Sequence, residues 1–149
     1  MMAFGWAKPV PVNPMVFRNP RQGVFIVSVA GPVANVLLAL LAGILFRITV
    51  ISPDMASAFG PLQLVLISIA SINLYLAFFN LIPIPPLDGS GVVSSLLPTE
   101  YAMKYESLGR MGMFILFALI ILGSFTGFSI IGAIIVPPAN GLFRLFTGL

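Results

Sequence analysis

From residue 24 to residue 46 the chain carries no charged side chain, and nothing else in the sequence restricts the fold as much. Wound as a helix at 1.5 Å per residue, such a run extends about 35 Å, enough to cross a hydrocarbon core about 30 Å thick. Two further uncharged runs follow, at residues 62–82 and about 111–136. Only 7% of all residues are charged, whereas a soluble domain carries about a quarter, so a soluble core could not absorb these runs. The expected fold is an all-α membrane protein of three to four transmembrane helices in a single domain, with the lipid bilayer as its first partner.

The segments between the runs are equally telling. Residues 1–22 contain Pro9, Pro11, Pro14 and Pro20, which disfavour helix, while Trp6, Lys8, Arg18 and Arg21 favour the headgroup depth. A short membrane-associated β or loop segment is expected there, and the prolines argue against a cleavable signal peptide. Along 24–46, Ala30 and Ala34, Gly31 and Asn35, and Ala39 and Gly43 recur four apart, a spacing that lets another helix approach closely. Residues 98–110 hold Glu100, Lys104, Glu106 and Arg110 beside Tyr101 and Tyr105 and read as a surface segment. Pro137 and Pro138 are expected to close the third run, leaving 139–149 as an interfacial tail. Lys and Arg before the first run and after the second outnumber those between them, which places the N-terminal segment and residues 83–110 on the cytoplasmic side of the cell membrane.

Several chemistries drop out on composition. The sequence has no Cys and no His, so it offers neither thiolate nor imidazole to a metal or a nucleophile. Its seven basic residues are scattered, and no nucleic-acid partner is expected. Attention falls on Asp88, which follows an apolar run and three prolines within four residues. A carboxylate there is costly unless it meets water, a partner charge or a metal; alternatively it caps a short helix beginning near Gly91. The irregular 83–91 backbone needs protein or a watery cavity to receive its peptide groups. Asn80 and Asn35 stand in otherwise apolar runs, either as interhelical hydrogen-bonding groups or as substrate contacts.

Three phrases together resemble the site-2 protease family of intramembrane zinc metalloproteases: Phe4-Gly5-Trp6-Ala7-Lys8-Pro9-Val10-Pro11-Val12-Asn13-Pro14, Ala30-Gly31-Pro32-Val33-Ala34-Asn35, and Asn80-Leu81-Ile82-Pro83-Ile84-Pro85-Pro86-Leu87-Asp88-Gly89. The resemblance implies that Asp88 is the third protein ligand of a catalytic zinc, and that Asn80 positions the substrate or the reacting carbonyl. It also implies that the Gly31 and Asn35 region packs closely beside the active site, and that the first phrase is a β segment receiving unwound transmembrane protein substrates. The implied chemistry is metal-assisted peptide hydrolysis in the membrane plane, which draws two further ligands and a base from a His-Glu-x-x-His helix.

That helix is absent from these residues, so no catalytic residue is assigned within the chain, and zinc is expected to be incompletely held. The family places it upstream of the first phrase; a truncated reading of a longer protein is the expected account, and a natural remnant that lost proteolysis is the second. Two other functions compete: a non-catalytic binding or scaffold protein that holds membrane segments without cutting them, and a small channel or transporter subunit using Asp88 as an ion site.

Overall fold

The computed structural model describes residues 19–51, 60–127 and 129–149. Among them are six helices and no strand: α1 (Pro20–Thr49), α2 (Gly60–Asn80), α3 (Asp88–Leu96), α4 (Thr99–Ser107), α5 (Gly109–Thr126) and α6 (Ile130–Thr147). Most of the expected β segment, residues 1–18, lies outside the described residues. Its last part is corrected: residues 20–22 open α1, with Pro20 at the start, where a missing N–H costs nothing and the fixed φ suits a helix.

Helices α1, α2 and α6 are each long and apolar enough to cross a membrane, and α4 with α5 passes the same test only as a pair bent by 57°. The third apolar run is therefore not one helix. It breaks at Gly127, whose φ of 69° lies in the left-handed region where glycine is at ease. The chain restarts when the Ser129 hydroxyl accepts a hydrogen bond from the Gly132 N–H at 3.0 Å, capping α6.

Two expectations about the C-terminus are corrected. Pro137 and Pro138 lie inside α6, and residues 139–147 are its second half instead of an interfacial tail. Two prolines remove two helical hydrogen bonds, yet the helix continues because its far half is held from outside. Ala139, 1% exposed, packs with Ala39 of α1 and Leu74 of α2, and Phe143 and Phe146 close over the same cluster. At the far end the Arg47 guanidinium donates to the Leu145 carbonyl at 2.6 Å.

The core of this bundle is small-residued. Ala39, Ala42, Ala70 and Ala77 are 0 to 4% exposed, with Phe46, Leu66 and Leu74 among them. Lipid tails are as apolar as leucine, so helices associate in a membrane through close contact. At Gly43 a Cβ would stand 2.7 Å from Phe146 Cβ and 2.9 Å from its carbonyl oxygen, so the Ala39/Gly43 part of the small-residue stripe is where α6 approaches α1. The upper part, Ala30, Gly31 and Ala34, remains exposed.

Candidate active site

Helix α2 ends at Asn80, and the chain then turns through residues 81–87 into α3. The turn pairs much of its own backbone: Ile84 N–H donates to the Ile82 carbonyl at 2.8 Å and Leu87 N–H to the Ile84 carbonyl at 3.0 Å. Its exposed carbonyl at Pro83 accepts the Tyr105 hydroxyl from α4 at 2.7 Å. This answers the need of irregular backbone for a protein partner. Sequence reasoning placed Tyr105 only in a surface segment; a lone tyrosine there carries no signal that it reaches a loop 22 residues away.

Asp88 is the first residue of α3 and not its cap. Leu87 occupies the cap position, with no side-chain hydrogen bond there, and the Ser90 N–H donates to the Leu87 carbonyl at 3.0 Å. Freed from capping, the carboxylate turns toward α1. A Cβ built on Gly31 would stand 2.9 Å from Asp88 Oδ2, so the glycine lets the oxygen rest against α1, and a larger residue would make the carboxylate shift. The carboxyl is half-buried, and burial pushes its pKa above the ordinary carboxylate value because desolvation penalises the ionised form.

The next residue explains how α3 is brought so near. A Cβ on Gly89 would run into the backbone of Leu81 and stand 2.6 Å from the Ile82 carbonyl oxygen. Two residues on, Gly91 lies against Ser28 of α1, where a Cβ would overlap the Ser28 hydroxyl. Pro32 lacks the N–H that would have bonded the Ser28 carbonyl, so α3 meets α1 at the turn where its ladder is already broken. The alternation Gly89-Ser90-Gly91 was visible in the sequence; its meaning, close approach to the turn after α2 on one side and to α1 on the other, was not.

Asn80 ends α2 half-buried, and Asn35 stands one turn below Gly31 on α1, also half-buried. Asp88, Gly31, Asn35 and Asn80 therefore belong to the same end of the α1–α2–α3 assembly. Glu100 and Glu106 are exposed on α4, and among the described residues no three metal-ligating side chains come together. A catalytic zinc takes three protein ligands and an open position. With no His or Cys in the sequence and one carboxylate at this point, the residues present do not by themselves fit that ion.

The profile of peptidase family M50 matches residues 43–123, taking in Asn80 and Asp88. "Putative zinc metalloprotease YwhC" of Bacillus subtilis (strain 168) is 35% identical over 150 residues, an alignment covering 98% of this chain and 67% of the relative. The chain belongs to peptidase family M50, the site-2 protease family. No solved structure matches it. Family membership together with its apolar helices makes it an integral membrane protein. Of the M50 chain's three resemblance phrases, the first lies outside the described residues, while the second and third meet where Gly31 admits the Asp88 carboxylate.

Proposed function

We propose that this chain is the carboxylate-bearing part of an intramembrane zinc metalloprotease that hydrolyses peptide bonds in or near transmembrane segments of its substrates. Asp88 is its contribution to the metal, and the remaining ligands and the base come from donors outside these 149 residues. One observation carries the reading: a half-buried carboxylate that does not occupy the cap position is turned toward α1 and lies against Gly31. Keeping an acid in such a place costs stability unless a cation meets it. The exposed Ala30, Gly31 and Ala34 beside it are small enough for a further helix to pack closely. Asn80 and Asn35, at the same end, are placed to hold the substrate or support the site.

Sidedness follows from basic residues. Five of the seven precede α1, stand in its first turn, or lie between α2 and α6 (Lys8, Arg18, Arg21, Lys104 and Arg110), leaving Arg47 and Arg144. Positive residues favour the cytoplasmic side, so the Asp88 end faces the cytoplasm of the cell.

Zinc content tests the incomplete site. The chain alone, purified in detergent, contains well under one zinc per molecule by elemental analysis, and one per molecule would refute the proposal. Joined to an upstream His-Glu-x-x-His segment, it gains the metal, and Asp88→Ala then abolishes cleavage of a membrane-embedded substrate; retained cleavage would remove Asp88 from the ligand set. The lack of any His in the sequence favours one second reading, a non-catalytic binder of membrane segments. It requires client proteins to co-purify uncut with the chain, and no metal with them.

A further inference from the structure

Helix α5 is as apolar as a spanning helix, yet the direction of α6 shows that it does not cross. Three levels can be read along the bundle. In the middle, Ala139 of α6 packs with Ala39 of α1 and Leu74 of α2. Beyond it, Phe146 meets Gly43, and Arg47 bonds the Leu145 carbonyl and lies against Gly148, so α6 ends where α1 ends. In the other direction, a groove of about 490 Å³ is lined by Leu76 and Phe79 of α2 together with Ser129 and Gly132, so α6 begins where α2 ends. Helix α6 therefore runs parallel to α1 and antiparallel to α2, leaving from the end at which α2 arrives. Everything between them must start and finish on that side, and a single crossing by α5 would deliver α6 to the wrong one.

The surface of α5 says what it touches instead. Gly112, Leu116, Leu119 and Gly123, spaced four, three and four apart, are buried or half-buried, and Gly112 lies on the Pro85 backbone so closely that a Cβ would overlap its carbonyl oxygen. The opposite face, at the same spacing, carries Phe114, Phe117, Ile121 and Phe125, which are 75, 56, 54 and 87% exposed. Residues 111–143 hold no charge at all. An apolar stripe of this size facing water would be an aggregation surface, and the acyl chains at the bilayer boundary are the medium that suits it.

We propose that α5 lies in the plane of the leaflet at the Asp88 end, seated on the Pro83–Asp88 turn by its glycine-bearing face and immersed in lipid by Phe114, Phe117 and Phe125. The chain then crosses the membrane three times. This does not depend on the protease reading.

Because the sequence has no Cys, single cysteines report sidedness cleanly. With Gln22→Cys and Leu149→Cys placed one at a time in the full chain in vesicles, an impermeant maleimide labels them from opposite faces; labelling from the same face would overturn the proposal, since that requires an even number of crossings. Depth is the second readout. In a Trp6→Phe background, Phe114→Trp and Phe125→Trp are quenched most strongly by phosphatidylcholine brominated at the same acyl carbon. A crossing helix would separate positions eleven residues apart by about 16 Å, so maxima at well-separated bromine positions would overturn it, as would fluorescence unquenched by any of the lipids.

Discussion

Helix pairs α1–α2 and α4–α5 are both apolar or membrane-adjacent, but they are built on opposite principles. Between α1 and α2 lie Ala39, Ala42, Ala70 and Ala77, residues so small that the backbones themselves come close, with Leu74 filling the space toward α6. Helix α4 has no buried residue. Its side-chain hydrogen bonds to the rest of the molecule are single polar contacts: Thr99 accepts from Arg21 at 2.9 Å, and Tyr105 donates to the Pro83 carbonyl at 2.7 Å. Helix α5 shows its phenylalanines outward and touches chiefly its chain neighbours, α4 and α6. Small residues bring α1 and α2 together, whereas the phenylalanines of α5 face outward. Asp88 stands at the border between the two regimes, its carboxylate against Gly31 of the first and Gly112 of the second lying on Pro85 three residues before it.

The comparison breaks most visibly at Gly89. Replacing it with Ala drives a Cβ into the backbone of Leu81 and Ile82, atoms that cannot yield as a side-chain tip could. Overpacking commonly costs about 1–3 kcal/mol and occasionally more, and Gly89→Ala is expected at or beyond the upper end, read as a lost or strongly lowered unfolding midpoint in detergent. Leu74 comes next. It is 0% exposed between α1 and α6, and Leu74→Ala leaves a cavity. Soluble proteins lose about 2–5 kcal/mol for such a change; here the transfer contribution is nearly absent in lipid, so a loss near 2 kcal/mol is expected in reversible unfolding. A loss no larger than that of a surface substitution would mean that the three-helix core is not the stable unit.

Arg47→Ala tests the clamp on α6. It removes a charged donor from the Leu145 carbonyl, a contact worth about 1 kcal/mol at an exposed site, and the effect should appear as faster hydrogen exchange confined to the last turn of α6. Smallest of all is Phe117→Ala on α5. With its ring turned outward, the substitution should change the unfolding midpoint in detergent by less than about 0.5 kcal/mol while weakening the quenching of a nearby tryptophan by brominated lipid. A large loss of stability from Phe117→Ala would show that α5 packs against protein after all, and would erase the distinction between the two regions.

Much of this molecule is written locally. The uncharged stretches identify membrane helices because a bilayer demands that each crossing segment satisfy its own backbone and expose apolar side chains, conditions met or failed within some twenty residues. The prolines and glycines after Asn80 announce a turn for a similar reason, and a lone acid behind them stands out wherever the chain goes. Other features have no local signature. Pro137 and Pro138 signal a stop, and are overruled by Ala139 and Phe146 docking onto residues about a hundred positions earlier. Residues 111–126 have the composition of a span, and only the direction of α6 denies it. Gly31 and Asp88, 57 positions apart, give no hint in sequence that they lie against each other. Composition decides which solvent a segment prefers; which neighbour it meets, and from which side, is a property of packing between distant parts of the chain, and that is where the carboxylate acquires its setting.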